Sequence, residues 1–376
     1  MTDQAISSRF PAAIYRSRLD RARELAAAQG LDSLVIGTGP DFLYLLGSRA
    51  HSFERLTALV IPTSGATPTV VVPRLELAAL RESAIAELGL TVRDWVDGVD
   101  PYAIVVEQAG AAIAVDPYLP ALHLITLTEL TSRAAVLATP VLRVLRMSKD
   151  EAEVEALRRA GAAIDRVHAR MGDWLRVGRR ESEVAADIAA AIVAEGHTAP
   201  EFIIVGSGPN GADPHHEVSD RVLQTGDVVV IDIGGPVDPG YNSDCTRTYC
   251  LGEPSPEIAA QYAILERAQQ AAVDQARPGV TAESVDAAAR SLLAEHGLAD
   301  AFVHRTGHGI GLSVHEEPYI VAGNSMVLEE GMAFSIEPGV YFPGHWGARI
   351  EDIVVLTADG CERLNNRPHA LGVLPG

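Results

Sequence analysis

The chain has 376 residues, 47% of them hydrophobic and 21% charged, with a formal net charge of −20. That length exceeds one typical core and implies two domains, and the composition excludes a disordered chain. The acidic balance argues against nucleic acid or an anionic membrane as partner. The N-terminal MTDQAISSRF has no apolar signal region, and no uninterrupted apolar run is long enough to span a bilayer. Cys245, Cys250 and Cys361 are odd in number and form no C-x-x-C pair, so a reducing cytoplasm is the expected compartment.

In chain order, residues 14–29 have helical spacing of Leu19, Ala22, Leu25 and Ala26, with Gly30 as the stop. Short strands are expected at 34–36, 56–61, 70–72 and 113–115, with a helix over 75–87 between the last two. A strand-like stretch at 141–145 ends this alternating α/β domain. Ser148-Lys-Asp-Glu151 reads as a capping box opening a long helix to about Leu175. The domain boundary is therefore set at 147/148.

A second helix covers 181–195 and is stopped by Gly196. A strand at 202–205 leads into the Gly-, Pro- and Asn-rich loop GSGPNGADPHHEVSD. Val228 to Ile231 form a β-branched run that reads as a buried strand and ends on Asp232. Helices follow from Ser255-Pro256 to about Ala276 and from Thr281 to Gly297, then strands at 333–336 and, as the last element, 348–356.

The pattern Leu223-x-x-Gly226…Ile231-Asp232-x-Gly234 returns as Leu328-x-x-Gly331…Ile336-Glu337-x-Gly339, with an offset of 337 − 232 = 105. Each strand-end acid is followed, one loop later, by a second: Asp244 after Asp232 and Glu351 after Glu337. A buried carboxylate must be paired, hydrogen-bonded or bound to a cation. Four of them at one point would repel, and two divalent cations would cancel their charge. His308 lies among Gly307, Gly309 and Gly311, with His304 and His315 close by. Oxygen ligands with one imidazole suit Mn²⁺, Co²⁺, Fe²⁺ or Zn²⁺. One acid at a strand end is most simply an ordinary paired residue. Two at equivalent repeat positions, each with a partner, point to a site.

The segment HRTGHGIGLSVHE resembles the proline-peptidase signature of the pita-bread metallopeptidases, the group of Xaa-Pro dipeptidase (prolidase) and aminopeptidase P. IDIGG…SDCTRTY, SIEPGVY and RIED resemble the family's other ligand blocks, and GPNGADPHH its substrate-histidine block. The first half is similar, more loosely, to the creatinase-type domain of these peptidases. The resemblance implies an α+β fold: a creatinase-type α/β domain over residues 1–147, then a duplicated pita-bread domain over 148–376.

It also implies roles. Asp232 would hold one metal, Asp244 and Glu351 both, and His308 with Glu337 the other. Glu337 would take a proton from the water between the metals. His315 would polarise the scissile carbonyl, His215 and His304 would face the leaving proline, and Arg349 would contact the substrate's distal end or steady the site. His216 follows His215 directly, so the motif does not choose between them. The Asp232–Asp244 interval is 12, one more than in many relatives, with Pro239 as the extra residue.

The implied activity is hydrolysis of X-Pro bonds in small peptides with proline second, using two divalent ions, Mn²⁺ first, in a homodimer. Dipeptidase is preferred to aminopeptidase P. Arg49, His51 and Arg55 could close the site beyond proline, although surface charge is their simpler reading. A creatinase-like amidinohydrolase or a non-catalytic binding protein on this fold would not need all five ligands.

Overall fold

The computed structural model describes residues 8–376 apart from residues 53 and 132. It divides into two compact units, residues 1–146 and 147–376.

The first unit is built on a six-stranded sheet in the order β4-β3-β2-β1-β5-β6. Its strands are β1 (Ser33–Gly37), β2 (Ala58–Pro62), β3 (Thr69–Pro73), β4 (Thr91–Trp95), β5 (Ile113–Val115) and β6 (Val136–Leu137). The helices are α1 (Ala12–Ala28), α2 (Pro40–Leu46), α3 (Ile85–Leu88), α4 (Pro101–Ala109), α5 (Ala121–Leu130) and α6 (Thr139–Met147). β1, β2 and β3 are buried throughout, as continuous apolar runs require.

Two expectations for this unit fail. The helix expected over 75–87 is a 3-10 helix, Arg74–Leu80, and the short α3. The strand-like stretch at 141–145 lies inside α6. Val141, Leu142 and Leu145 are buried while Arg143 and Val144 face out, a helical and not an alternating pattern.

The second unit opens with α7 (Glu151–His168), α8 (Met171–Trp174) and α9 (Glu181–Ala194). The capping box is Asp150 with Glu153, two residues beyond the Ser148–Glu151 box that was expected. The Asp150 carboxylate accepts from Glu153 N at 2.9 Å, and Glu153 accepts from Asp150 N at 3.0 Å. Ser148 is held instead by a bridge to Met332. α7 stops at His168, short of Leu175, because the chain turns into α8.

Strands β7 (Phe202–Ser207), β8 (Val228–Val237) and β9 (Tyr241–Leu251) follow. After α10 (Pro256–Gln275) and α11 (Ala282–Glu295) come β10 (Gly307–Gly309), β11 (Glu316–Ile320), β12 (Ala333–Ile336), β13 (Gly339–Phe342), β14 (Trp346–Arg349) and β15 (Asp352–Leu356). The stretch expected as one last strand, 348–356, is thus two strands, and β16 (Cys361–Arg363) and β17 (Gly372–Leu374) lie beyond it. The sheets are β17-β9-β8-β7 and β11-β10-β12-β15-β16, with β13-β14 as a separate hairpin.

The repeat is exact in register. β8 pairs β9 with Gly234 opposite Asp244, and β13 pairs β14 with Gly339 opposite Arg349, 105 residues on at both places. Ile231 opposite Arg247 likewise becomes Ile336 opposite Asp352. The two hairpins have equal length, so Pro239 adds no residue relative to the second copy. Gly226 and Gly331 have φ of +89° and +82°, where only glycine is unstrained. Each half has its own core: Ile164, Ile188 and Ile231 in the first, Leu265, Phe334 and Ile336 in the second. Among the described residues no helix is long and apolar enough to cross a membrane.

Candidate metal centre

All nine residues singled out by sequence line one cavity of about 680 Å³ in the second unit. They are Asp232, Asp244, His308, Glu337, Glu351, His215, His304, His315 and Arg349. Ligand atoms of Asp244, His308 and Glu351 lie within 4.8 Å of one another, and all three residues are buried. Glu337 joins them through His308, Nε2 to Oε1 at 3.2 Å, and His308 Nε2 is 3.6 Å from Asp244 Oδ2. Asp232 stands apart from that triad: its Oδ2 accepts from Arg349 Nη2 at 2.6 Å.

Several features fit divalent cations. Asp232 Oδ1 is buried and has no hydrogen-bond partner, a costly state unless a cation takes it. His308 Nδ1 donates to Gly309 O at 3.1 Å, which turns Nε2 toward the acids. Burial, with the charge of Asp232 added, pushes the Asp244 carboxyl well above its usual range. Burial and then Asp244 do the same to Glu351. Burial alone would raise Glu337, but the hydrogen bond and charge of His308 hold it at about 2. Among the described residues, the only cationic groups in this cluster of four acids are His308 and Arg349, which pairs with Asp232, so the acids outnumber the positive charges around them.

Close backbone packing builds the site. A Cβ on Gly307 would meet Ser335 O at 1.8 Å and one on Gly309 would meet Glu317 O at 2.2 Å, so only glycine lets the His308 strand approach its neighbours. Ser335 ties the two strands further: its hydroxyl accepts from His308 N at 3.0 Å and donates to Glu337 Oε1 at 2.9 Å.

The histidines divide by partner. His304 Nε2 is 2.9 Å from Tyr341 Oη, and its Nδ1 donates to Arg305 O at 2.7 Å. The ring of His315 meets that of His308 edge-on, 4.2 Å between centroids. Burial, then the charges of His308 and Arg305, lowers His315 to about 4. His215 lines the cavity, whereas His216 Nε2 is 2.8 Å from Glu181 Oε2, away from the wall. Arg349 has a partner for every guanidinium nitrogen: Asp232, Tyr341 Oη at 2.6 Å and Thr246 Oγ1 at 3.1 Å. Arg55 pairs with Asp97 at 3.0 Å in the first unit, where Arg49 and His51 border a separate cavity of about 440 Å³.

Three residues that sequence reasoning passed over support these groups. Thr246 Oγ1 donates to Glu351 Oε2 at 2.8 Å. It lies two residues beyond Asp244 on the same strand face, a spacing that could have revealed it. Tyr341 links His304 to Arg349. Glu181, fully buried, accepts from Ser207, Asn210, His216 and Ser219 and so fixes the loop that carries His215. No local pattern marks Glu181, because its partners lie 26 to 38 residues away, and Tyr341 joins His304, 37 residues away, to Arg349 on the neighbouring strand.

Residues 155–358 match metallopeptidase family M24, and residues 18–195 match the creatinase/prolidase N-terminal domain. The probable dipeptidase PepE of Mycobacterium tuberculosis is 63% identical over 98% of this chain and 99% of its own length. The Xaa-Pro dipeptidase of Lactobacillus helveticus is 33% identical over 95% of this chain and 99% of its own. The crystal structure of dipeptidase PepE from Mycobacterium ulcerans superposes with a TM-score of 0.94 at 63% identity, covering 98% of this chain and all of that one. With the M24 match spanning more than half of its length, the chain belongs to metallopeptidase family M24, as a prolidase-like peptidase with a creatinase-type N-terminal domain.

Proposed function

We propose that this metallopeptidase is an Xaa-Pro dipeptidase, hydrolysing the bond before proline with two divalent ions, Mn²⁺ first among them. The observation that carries this reading is the buried cluster of acids around one imidazole, with Asp232 Oδ1 lacking any partner. Residues 1–147 form its creatinase-type domain and 148–376 its catalytic domain. It works as a cytoplasmic homodimer.

Asp232 would hold one ion, His308 and Glu337 the other, and Asp244 and Glu351 both. When bound, such ions make a water nucleophilic at neutral pH and act as Lewis acids on the carbonyl. Glu337, kept ionised by His308 and steadied by the Ser335 hydroxyl, accepts the proton of the attacking water. His315, neutral at working pH, donates a hydrogen bond to the carbonyl oxygen as negative charge develops there. The water oxygen bonds to the carbonyl carbon, the C–N bond breaks, and the proton held by Glu337 passes to the proline nitrogen. His215 and His304 line the leaving side. Because an X-Pro bond has no N–H and a fixed φ, a pocket shaped for the ring selects it.

The test compares an X-Pro dipeptide with an X-Pro-Y tripeptide in the presence of Mn²⁺, Co²⁺ and Zn²⁺. Preferential cleavage of the dipeptide is expected. Cleavage of the tripeptide alone would make the enzyme an aminopeptidase P.

A further inference from the structure

We propose that Lys149 is a positioning residue for His315. Its ammonium pairs with Glu316, the residue after His315, and so fixes the loop that aims the imidazole. This role rests on the dipeptidase reading above, in which His315 donates to the carbonyl oxygen.

His315 needs support from outside its own side chain. It stands on the irregular segment 311–315 between β10 and β11, exposed in the cavity wall. Its ring meets that of His308 edge-on, and among the described residues its nitrogens have no hydrogen-bond partner. The backbone of the loop must therefore set its place. Placement matters, because a shift of about 1 Å in a catalytic group can cost about 10²-fold in rate.

Both ends of that loop are tied. At its start, Gly311 O accepts from Asn242 N at 2.9 Å and from Asn242 Nδ2 at 3.0 Å. Just past its end, Lys149 Nζ donates to Glu316 Oε1 at 2.8 Å. The Glu316 carboxylate folds back over Gly311, where a Cβ would meet Glu316 Oε1 at 2.7 Å and Lys149 Cε at 3.3 Å. The ion pair therefore closes the base of the loop, where its two ends meet. Lys149 is itself anchored. Its N–H donates to Gly331 O at 2.8 Å, and the neighbouring Ser148 bridges Met332, just before β12.

Burial gives the contact its strength. The lysine side chain is 1% exposed and that of Glu316 11%, whereas lysine is almost never fully buried unless paired. An exposed pair would hold the loop only weakly, but here an ammonium without its partner would be a buried, uncompensated charge. Lys149 does not line the metal cavity, and its ammonium meets Glu316 and, at 3.4 Å, Met147 O. Its effect on the reaction must therefore pass through Glu316 to His315.

The experiment measures kcat and KM for an X-Pro dipeptide with wild type, Lys149→Met and the double variant Lys149→Met/Glu316→Gln, each also in a His315→Ala background. Metal content and hydrogen exchange over residues 311–316 of the full chain are measured alongside. The double variant leaves no unpaired buried charge, so it tests the loop even where Lys149→Met folds poorly. Both changes should lower kcat by about 10- to 100-fold with KM kept within about threefold, as loss of a contact made in the transition state requires. With His315 already removed, the same changes should alter kcat by less than about twofold. Exchange over 311–316 should quicken, and bound metal should stay as in wild type. A wild-type kcat in the double variant, an undiminished effect in the His315→Ala background, or loss of metal in step with kcat would overturn the proposal. If wild type cleaves no X-Pro dipeptide, the dipeptidase reading fails. Exchange then decides on Lys149: quickening confined to 311–316 in the double variant supports the tether, and exchange as in wild type overturns it.

Discussion

Strands β8 and β9 run unbroken through Asp232 and Asp244, whereas their counterparts 105 residues on are each cut in two, beside Glu337 and Glu351. The cut has a chemical cause. Pro338 stands where the first copy has Ile233, and proline has no N–H to give a ladder. Two positions of the register also exchange roles. Asp244 is matched by Arg349 (349 − 244 = 105), and Glu351 is matched by Thr246 (351 − 246 = 105). The partner acids are therefore not equivalent, although the strand-end acids Asp232 and Glu337 are. Duplication supplied the scaffold, and divergence at matched positions turned one copy's acid into the other's support. Arg349 steadies Asp232, and Thr246 steadies Glu351.

The largest test of this asymmetry removes Glu337. In a metal-loaded Glu337→Ala protein, kcat for an X-Pro dipeptide should fall by at least about 10³-fold with unchanged circular dichroism. Wild-type-like turnover would sink the assignment. Next is the pair Arg247–Asp352, itself at matched positions, buried and 2.7 Å apart. Arg247→Met takes one charged partner from Asp352 and leaves it His369 at 2.7 Å and Arg363 at 3.3 Å, so it should cost about 1.5–3 kcal/mol in urea unfolding. A loss below 1 kcal/mol would mean that the two copies are not joined there.

The first copy also buries two neutral histidines that the second does not repeat. Burial, with Arg247's charge, lowers His168 to about 3, and burial lowers His197 to about 4. Their stabilisation is complete above the unfolded value near 6.5 and is lost as pH falls toward those folded values. Unfolding free energy should fall with acid by at most about 1.4 kcal/mol per pH unit for each histidine. His197→Gln should flatten that slope, and an unchanged slope would remove His197 from the account. Smallest is Thr246→Val, which deletes the hydroxyl between Glu351 and Arg349. About a tenfold loss of kcat/KM is expected, restored by Thr246→Ser. If Ser fails to restore it, packing and not the hydroxyl matters at that position.

The nine residues that sequence picked out for the metal site reach one cavity: Asp232 and Glu337 recur at a fixed offset at the ends of buried strands, and the histidines stand in segments marked by their glycines and by the family resemblance. Elements were less legible. VLRVL at 141–145 is apolar enough for a strand, and only its packing on one face makes it helix. The 348–356 run reads as one strand, and its break depends on β14 and β15 having different partners. Arg349 is legible as a candidate in the sequence, but its three hydrogen bonds, to Asp232, Tyr341 and Thr246, appear only in the fold.

The sequence by itself determined the duplication, the acids and histidines and the glycines between them, since period, spacing and residue type are local properties of the chain. Tertiary structure alone decided which histidine of the Pro214-His215-His216 run lines the cavity, because Glu181 captures His216 from 35 residues away. It also decided that Arg349 is occupied. A guanidinium's availability depends on which acceptors the fold brings within reach, and Asp232 and Thr246 lie far away along the chain.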